Sequence, residues 1–103
     1  MSRAPEASKR QSLSSSHTLN LEGAFVPRTN LSGANLERAN LSRADFRFVD
    51  FTGANLTDTN FKGTKLQGAI LTDVQGLTWD QLDQAIIDET TILPDYLMAQ
   101  RPK

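Results

Sequence analysis

The chain contains no cysteine. That excludes a disulfide framework, a thiol nucleophile and a cysteine-held zinc. It suits a reducing cytosol, and a cytoplasmic location is expected. Histidine is nearly absent too. The single one, His17, follows Ser14, Ser15 and Ser16. A general base needs a fixed partner and a metal needs several ligands, so His17 supports neither role. No apolar run is long enough for a membrane helix or a signal-peptide core. Strong charge of one sign is missing as well. Eleven basic and 12 acidic residues leave a net charge of −1. This is neither a basic nucleic-acid binder nor a strongly acidic mimic of one, and nucleic acid is disfavoured as a partner. The length of 103 residues allows one domain at most. There is no Ser-His-Asp set, phosphate loop or metal cluster, so no catalytic residue, cofactor or metal is expected. Asp45 and Asp50 form a carboxylate pair only in sequence, on adjacent faces without an apolar pocket. The chain is read as not an enzyme.

What is present is a period of five. Between Leu19 and Asp73 an apolar residue recurs at Leu21, Val26, Leu31, Leu36, Leu41, Phe46, Phe51, Leu56, Phe61, Leu66 and Leu71. Two positions earlier stands Ala or Thr, except at Leu19 and Val49. Between the two lies Asn or Asp, except at Phe25, Lys65 and Ile70. Two positions after the centre, Gly fills five of eleven places. On a helix, five residues turn through about 500°, which would scatter the centres around the cylinder. On a straight strand an odd period sends alternate centres to opposite faces. The pattern is satisfied if the chain bends once per five residues. The centre and the small residue then point inward and the remaining three form a corner, where Gly tolerates a positive φ. Such a chain winds into stacked coils.

The tandem run Ala-(Asp/Asn)-Leu-x-x, seen at Ala34-Asn35-Leu36, Ala39-Asn40-Leu41, Ala44-Asp45-Phe46 and Ala54-Asn55-Leu56, resembles the pentapeptide-repeat family. The resemblance implies an all-β solenoid, a right-handed quadrilateral β-helix with four repeats per coil. That makes about three coils and a stub about 14 Å long at a spacing of about 4.8 Å. The eleven centres are then the structural core. Residues 1–18 are expected to be a disordered Ser-rich tail, passive or regulatory, with Lys9-Arg10-Gln11-Ser12 resembling a basophilic phosphorylation site. Residues 19–75 are the repeat. Residues 76–103 are a C-terminal helical cap and tail, of the kind that follows the repeats in bacterial and notably cyanobacterial members. In that cap, Thr78 and Gln81 have capping-box spacing and Leu77 can staple onto Leu82. Trp79, Leu82 and Ile86 share the face of a helix expected from about Trp79 to Ile87, lying across the Leu71 end. A second short helix is expected to start at Pro94. Phe25 and Pro27 are read as part of an N-terminal cap.

With twenty residues per coil, Asn20, Asn40 and Asn60 stack as one ladder. A calcium β-roll needs a Gly-rich turn that is missing here, so these side chains are expected to bond neighbouring backbone. A second face carries Phe25, Arg28, Arg47, Phe48 and Lys65, with Arg43 on the adjacent corner. Arginine beside an exposed aromatic is characteristic of interface centres, so this face is the candidate interaction surface. The expected partner is another protein, with a homodimer through a solenoid end or the C-terminal cap as a further possibility. The alternative is a duplex-DNA mimic acting on DNA gyrase, like the family's quinolone-resistance members. Those are longer and strongly acidic.

Overall fold

The computed structural model describes residues 19–100. The tail reading for residues 1–18, and with it His17, lies outside the described residues.

Each five-residue unit is one short extended piece followed by one turn. The centre's carbonyl accepts from the N–H three residues on, as in Leu21 O from Ala24 N at 3.0 Å and Phe51 O from Ala54 N at 2.8 Å. In every unit the third turn residue has a positive φ. Gly23, Gly33, Gly53, Gly63 and Gly68 fill five of these corners, with φ of 69–74°. Arg28, Arg38, Arg43, Phe48, Asp58 and Asp73 fill the other six, with φ of 56–61°. A positive φ at the third turn position alone is the type II pattern, which favours Gly. Six side chains therefore hold a conformation costing roughly 1–2 kcal/mol each. The turn is imposed by the winding, not by its corner residue.

Asn or Asp before each centre closes the same turn from outside. Its side-chain oxygen accepts from the N–H two residues on, as in Asn30 to Ser32 at 2.9 Å and Asn60 to Lys62 at 3.0 Å. All eight Asn/Asp units do this. The acceptor oxygens are thus already engaged with backbone.

The winding is visible in the parallel bridges. They run as four ladders: Asn20–Asn40–Asn60, Phe25–Asp45–Lys65–Ile86, Asn30–Asp50–Ile70–Ile92, and Asn35–Asn55–Gln75. Within the repeat each step is twenty residues. Each rung gives one bond in either direction, so Asn40 N–H donates to Leu19 O at 2.8 Å and Leu41 N–H to Asn60 O at 2.9 Å.

The centres from Leu36 to Leu71 are buried, and Ala39, Ala44, Ala54 and Ala69 fill the space beside them. Phe46 and Phe51 stack with ring centroids 5.8 Å apart. Full burial of such a side chain is worth roughly 2–3 kcal/mol. Thr59 and Thr64, at buried small positions, donate their hydroxyls to Leu36 O and Leu41 O at 2.7 and 2.6 Å. Leu21, Val26 and Leu31 differ from the later centres: they are only partly buried, because among the described residues the first units have neighbours on one side alone. Phe25 does not cap them. It is 75% exposed.

The C-terminal segment differs from a lid laid across the last coil. It continues the ladders. α1 (Trp79–Gln84) stands where the next rung after Asn60 would fall, and Gly63 N–H donates to Gln84 O at 2.8 Å. Thr78 caps α1 through a capping box with Gln81. The helix stops at Gln84 rather than Ile87 because Ile86 pairs as a strand residue. Its N–H donates to Thr64 O and its carbonyl accepts from Leu66 N–H, both at 2.8 Å. Ile86 therefore leaves the face it was expected to share with Trp79 and Leu82 and is 43% exposed, while Leu77 and Leu82 are buried. α2 (Asp95–Ala99) follows Pro94. Tyr96 ties it back, its hydroxyl accepting from Leu77 N–H at 2.9 Å and donating to Leu77 O at 2.8 Å. Trp79 Nε1 donates to Leu97 O at 3.0 Å. Among the described residues no helix is long and apolar enough to cross a membrane.

Candidate functional site at the Arg28–Phe48 corner

Twenty-residue winding places Arg28, Phe48 and Gly68 on equivalent corners of successive turns. The Phe48 ring bridges them. The Arg28 guanidinium carbon lies 4.7 Å from its centroid. On the other side, a Cβ added at Gly68 would meet ring atoms at 2.3 and 2.4 Å. The ring thus lies over the bare glycine backbone, with arginine over its face. Even so, Phe48 remains 48% exposed. The cation–π contact is worth roughly 0.5–1 kcal/mol at such a site. Arg28 makes no ion pair or side-chain hydrogen bond among the described residues, so its donors face outward.

Arg47 is held differently. Asp45, two residues before it, accepts from Arg47 Nε at 2.9 Å, from Nη2 at 2.7 Å and from its N–H at 3.1 Å. The fork geometry is that of a bidentate carboxylate pair. The bond to Arg47 holds the Asp45 carboxyl below its ordinary range, and in return Asp45 raises Arg47 further. Arg47 is therefore a clamped part of the surface, not a solvated reach. Phe25 and Lys65 flank Asp45 along the same ladder, and Lys65 adds a weaker pull in the same direction. Arg43 stands apart. It occupies the corner aligned with Gly23 and Gly63, pairs with Glu22, and its Cγ would lie 3.2 Å from a Cβ at Gly63. Both members of that pair are largely exposed, so it adds little stability.

The structure thus brings together Arg28 and Phe48, with Phe25, Arg47 and Lys65 around Asp45, and leaves Arg43 at a neighbouring corner. From the sequence Asp45 was read only as half of a carboxylate pair with Asp50, and Gly68 was not singled out. Gly68 becomes visible only once its alignment under Phe48 is drawn, and the role of Asp45 only once the turn places its carboxylate beside Arg47. The arrangement is a mixed aromatic and cationic surface. Among the described residues no group of His, Cys, Asp or Glu could hold a metal.

Comparison with known proteins follows the same lines. The family model for pentapeptide repeats matches residues 19–58 and 34–73 with 8 copies, more than half of the chain. No curated protein matches. The crystal structure of a pentapeptide repeat protein (Rfr23) from the cyanobacterium Cyanothece 51142 is similar over 74% of this chain, at 32% identity and a TM-score of 0.65. The match spans 51% of that protein, so this chain corresponds to about half of its relative. The repeated turns, the twenty-residue ladders and the eight matched copies together establish that this chain belongs to the pentapeptide-repeat family.

Proposed function

We propose that the chain is a non-enzymatic protein-interaction module, built as a right-handed, four-sided β-helix of about three coils, that works in the cytoplasm by presenting a fixed surface to another protein. The observation that carries this reading is the Arg28–Phe48 stack. Phe48 occupies a corner at φ 61°, where glycine would serve the fold better. A strained, half-exposed aromatic is a cost to the fold that recognition would explain. Its ring is immobilised between Arg28 and the Gly68 backbone, so little side-chain entropy is lost on binding. Arginine with outward donors beside an aromatic is the composition of interface hot spots. Near-neutral charge leaves specificity to shape and to these few groups rather than to a long-range field.

The test is affinity capture from the source cell with the parent and an Arg28→Ser/Phe48→Ser variant. Thermal stability should change by no more than about 1 kcal/mol, as surface changes do. Partners held by the parent should be lost. A variant that keeps all of them would put the recognition surface elsewhere.

A further inference from the structure

At the far end of the ladders lies an open groove of about 740 Å³. Its apolar lining includes Trp79, Ile87, Leu93 and Met98, with Met98 51% exposed. Asp88, Glu89 and Asp95 rim it, and none of them takes part in an ion pair among the described residues. Residues 74–100 contain five acids, Asp80, Asp83, Asp88, Glu89 and Asp95, and no Lys or Arg. Asp88 accepts from Thr90 Oγ1 at 2.5 Å and from Thr90 N–H at 2.9 Å. Both bonds favour its charged form.

The groove also coincides with unfinished backbone pairing. Inside the repeat, every centre N–H but that of Phe61 donates forward to the next turn, as Leu71 N–H does to Ile92 O. The equivalent donors on the last rungs are Ile87 N–H and Leu93 N–H, which have no acceptor among the described residues. Likewise each small residue's carbonyl accepts from the next turn, as Ala69 O does from Ile92 N–H. Its last equivalent, Thr91 O, accepts from no described group. Three of the residues lining the groove thus present an open strand edge. Such an edge is a template for an added strand.

We propose that this groove binds an extended segment of a partner protein in which apolar and basic residues alternate, the segment adding one further rung beyond Ile92. Each element of the occupant follows from a feature of the groove. The free N–H and C=O groups require main chain in extended form. Alternate side chains of a strand point to opposite sides, so one set enters the apolar lining and the other faces the rim. The rim is acidic and forms no ion pair among the described residues, so the second set is basic. This site is distinct from the Arg28–Phe48 corner and does not depend on it.

Trp79 is the only tryptophan and lines the groove, so its fluorescence reports occupancy directly. The full chain is titrated with acetyl-Val-Lys-Val-Arg-Val-Lys-Val-amide, with the same peptide carrying Glu for Lys and Arg, and with a backbone N-methylated version. The basic peptide should bind saturably and shift the amide resonances of Ile87 and Leu93. The acidic and N-methylated peptides should not bind. Glu89→Lys/Asp95→Lys, both exposed changes, should weaken the basic peptide about tenfold or more, while Arg28→Ser/Phe48→Ser should leave it unchanged. Absence of saturable binding would overturn the proposal. So would equal binding of the N-methylated peptide, which would mean charge attraction without an added strand.

Discussion

Phe48 lies across the corner of the next turn so closely that a methyl group at Gly68 would sit 2.3 Å from its ring. Two residues twenty apart are thereby fixed to each other, and each constrains what the other can be. Gly68→Ala should be destabilised twice, by its φ of +73° and by the ring. Gly53→Ala meets the same kind of φ, +74°, with nothing within 4 Å. Chemical denaturation should show Gly53→Ala losing roughly 1–2 kcal/mol, the cost of the left-handed conformation, and Gly68→Ala losing more. Adding Phe48→Ala to Gly68→Ala should remove the excess, a coupling that two independent sites would not show.

Core register is tested by size of loss. Phe46→Ala and Leu56→Ala remove fully buried side chains and should each cost roughly 3–4 kcal/mol. Leu21→Ala removes a partly buried one at the first rung and should cost less than half as much. Equal losses at Leu21 and Leu56 would mean that the first units are covered.

Gln81 holds α1 to the repeat. Its Nε2 donates to Leu56 O at 2.9 Å and Thr59 O at 3.0 Å, while its Oε1 accepts from Thr78 N–H at 2.7 Å. Gln81→Leu should cost about 1–3 kcal/mol, the range for polar groups left unpaired. Thr78→Ala, which loses a capping bond, should cost about 1 kcal/mol. Urea unfolding of the two variants gives the comparison. Gln81→Leu proving the milder change would contradict the assigned bonds.

The Asp45–Arg47 clamp has a pH signature. The bond lowers the folded carboxyl below its unfolded value, which is about 3.9. Such a group contributes stability that is full above the unfolded value and lost as pH falls through the folded one. Asp50 and Asp88 shift in the same direction, each held by a neighbouring threonine, Thr52 and Thr90. Asp45→Asn should therefore melt below the parent at pH 7, and the gap should close as pH falls below about 4. A gap independent of pH would mean that the clamp contributes through packing rather than charge.

The repeat was legible because each unit carries its own instruction. An apolar centre, a small residue before it and an Asn or Asp between them recur often enough to show where the chain bends. The positive φ at the corner was legible only where Gly marked it. At Arg28, Arg38, Arg43 and Phe48 the winding overrides local preference, and no residue type announces the turn. The ladder positions of Ile86 and Ile92 were hidden for a different reason. α1 lengthens the path between rungs, so the steps from Lys65 and Ile70 are 21 and 22 residues and the period is lost. The apolar spacing of Trp79, Leu82 and Ile86 then favours one continuous helix, although the strand edge at Lys65 claims Ile86. Of the candidate face, its residues could be read from the sequence but its internal pairing could not. Arg47 is tied to Asp45 within its own turn, whereas Arg28 reaches Phe48 only across a stacking contact.

The proposed recognition face requires that side chains twenty residues apart stand over one another. In a chain without cysteine this can be read from a single crosslink. Gly33 N–H donates to Thr52 O at 2.8 Å, so Ser32 and Thr52 occupy stacked positions of adjacent turns. A Ser32→Cys/Thr52→Cys variant should form an intramolecular disulfide readily under mild oxidation and gain stability, because stacked positions about 5 Å apart suit the bond. Ser32→Cys/Thr57→Cys, one unit further on, should not close without unfolding. Quantifying free thiols in the two folded proteins decides it. Selective closure of the first pair is the result predicted here, and equal closure of both, or closure of the second alone, would contradict the register.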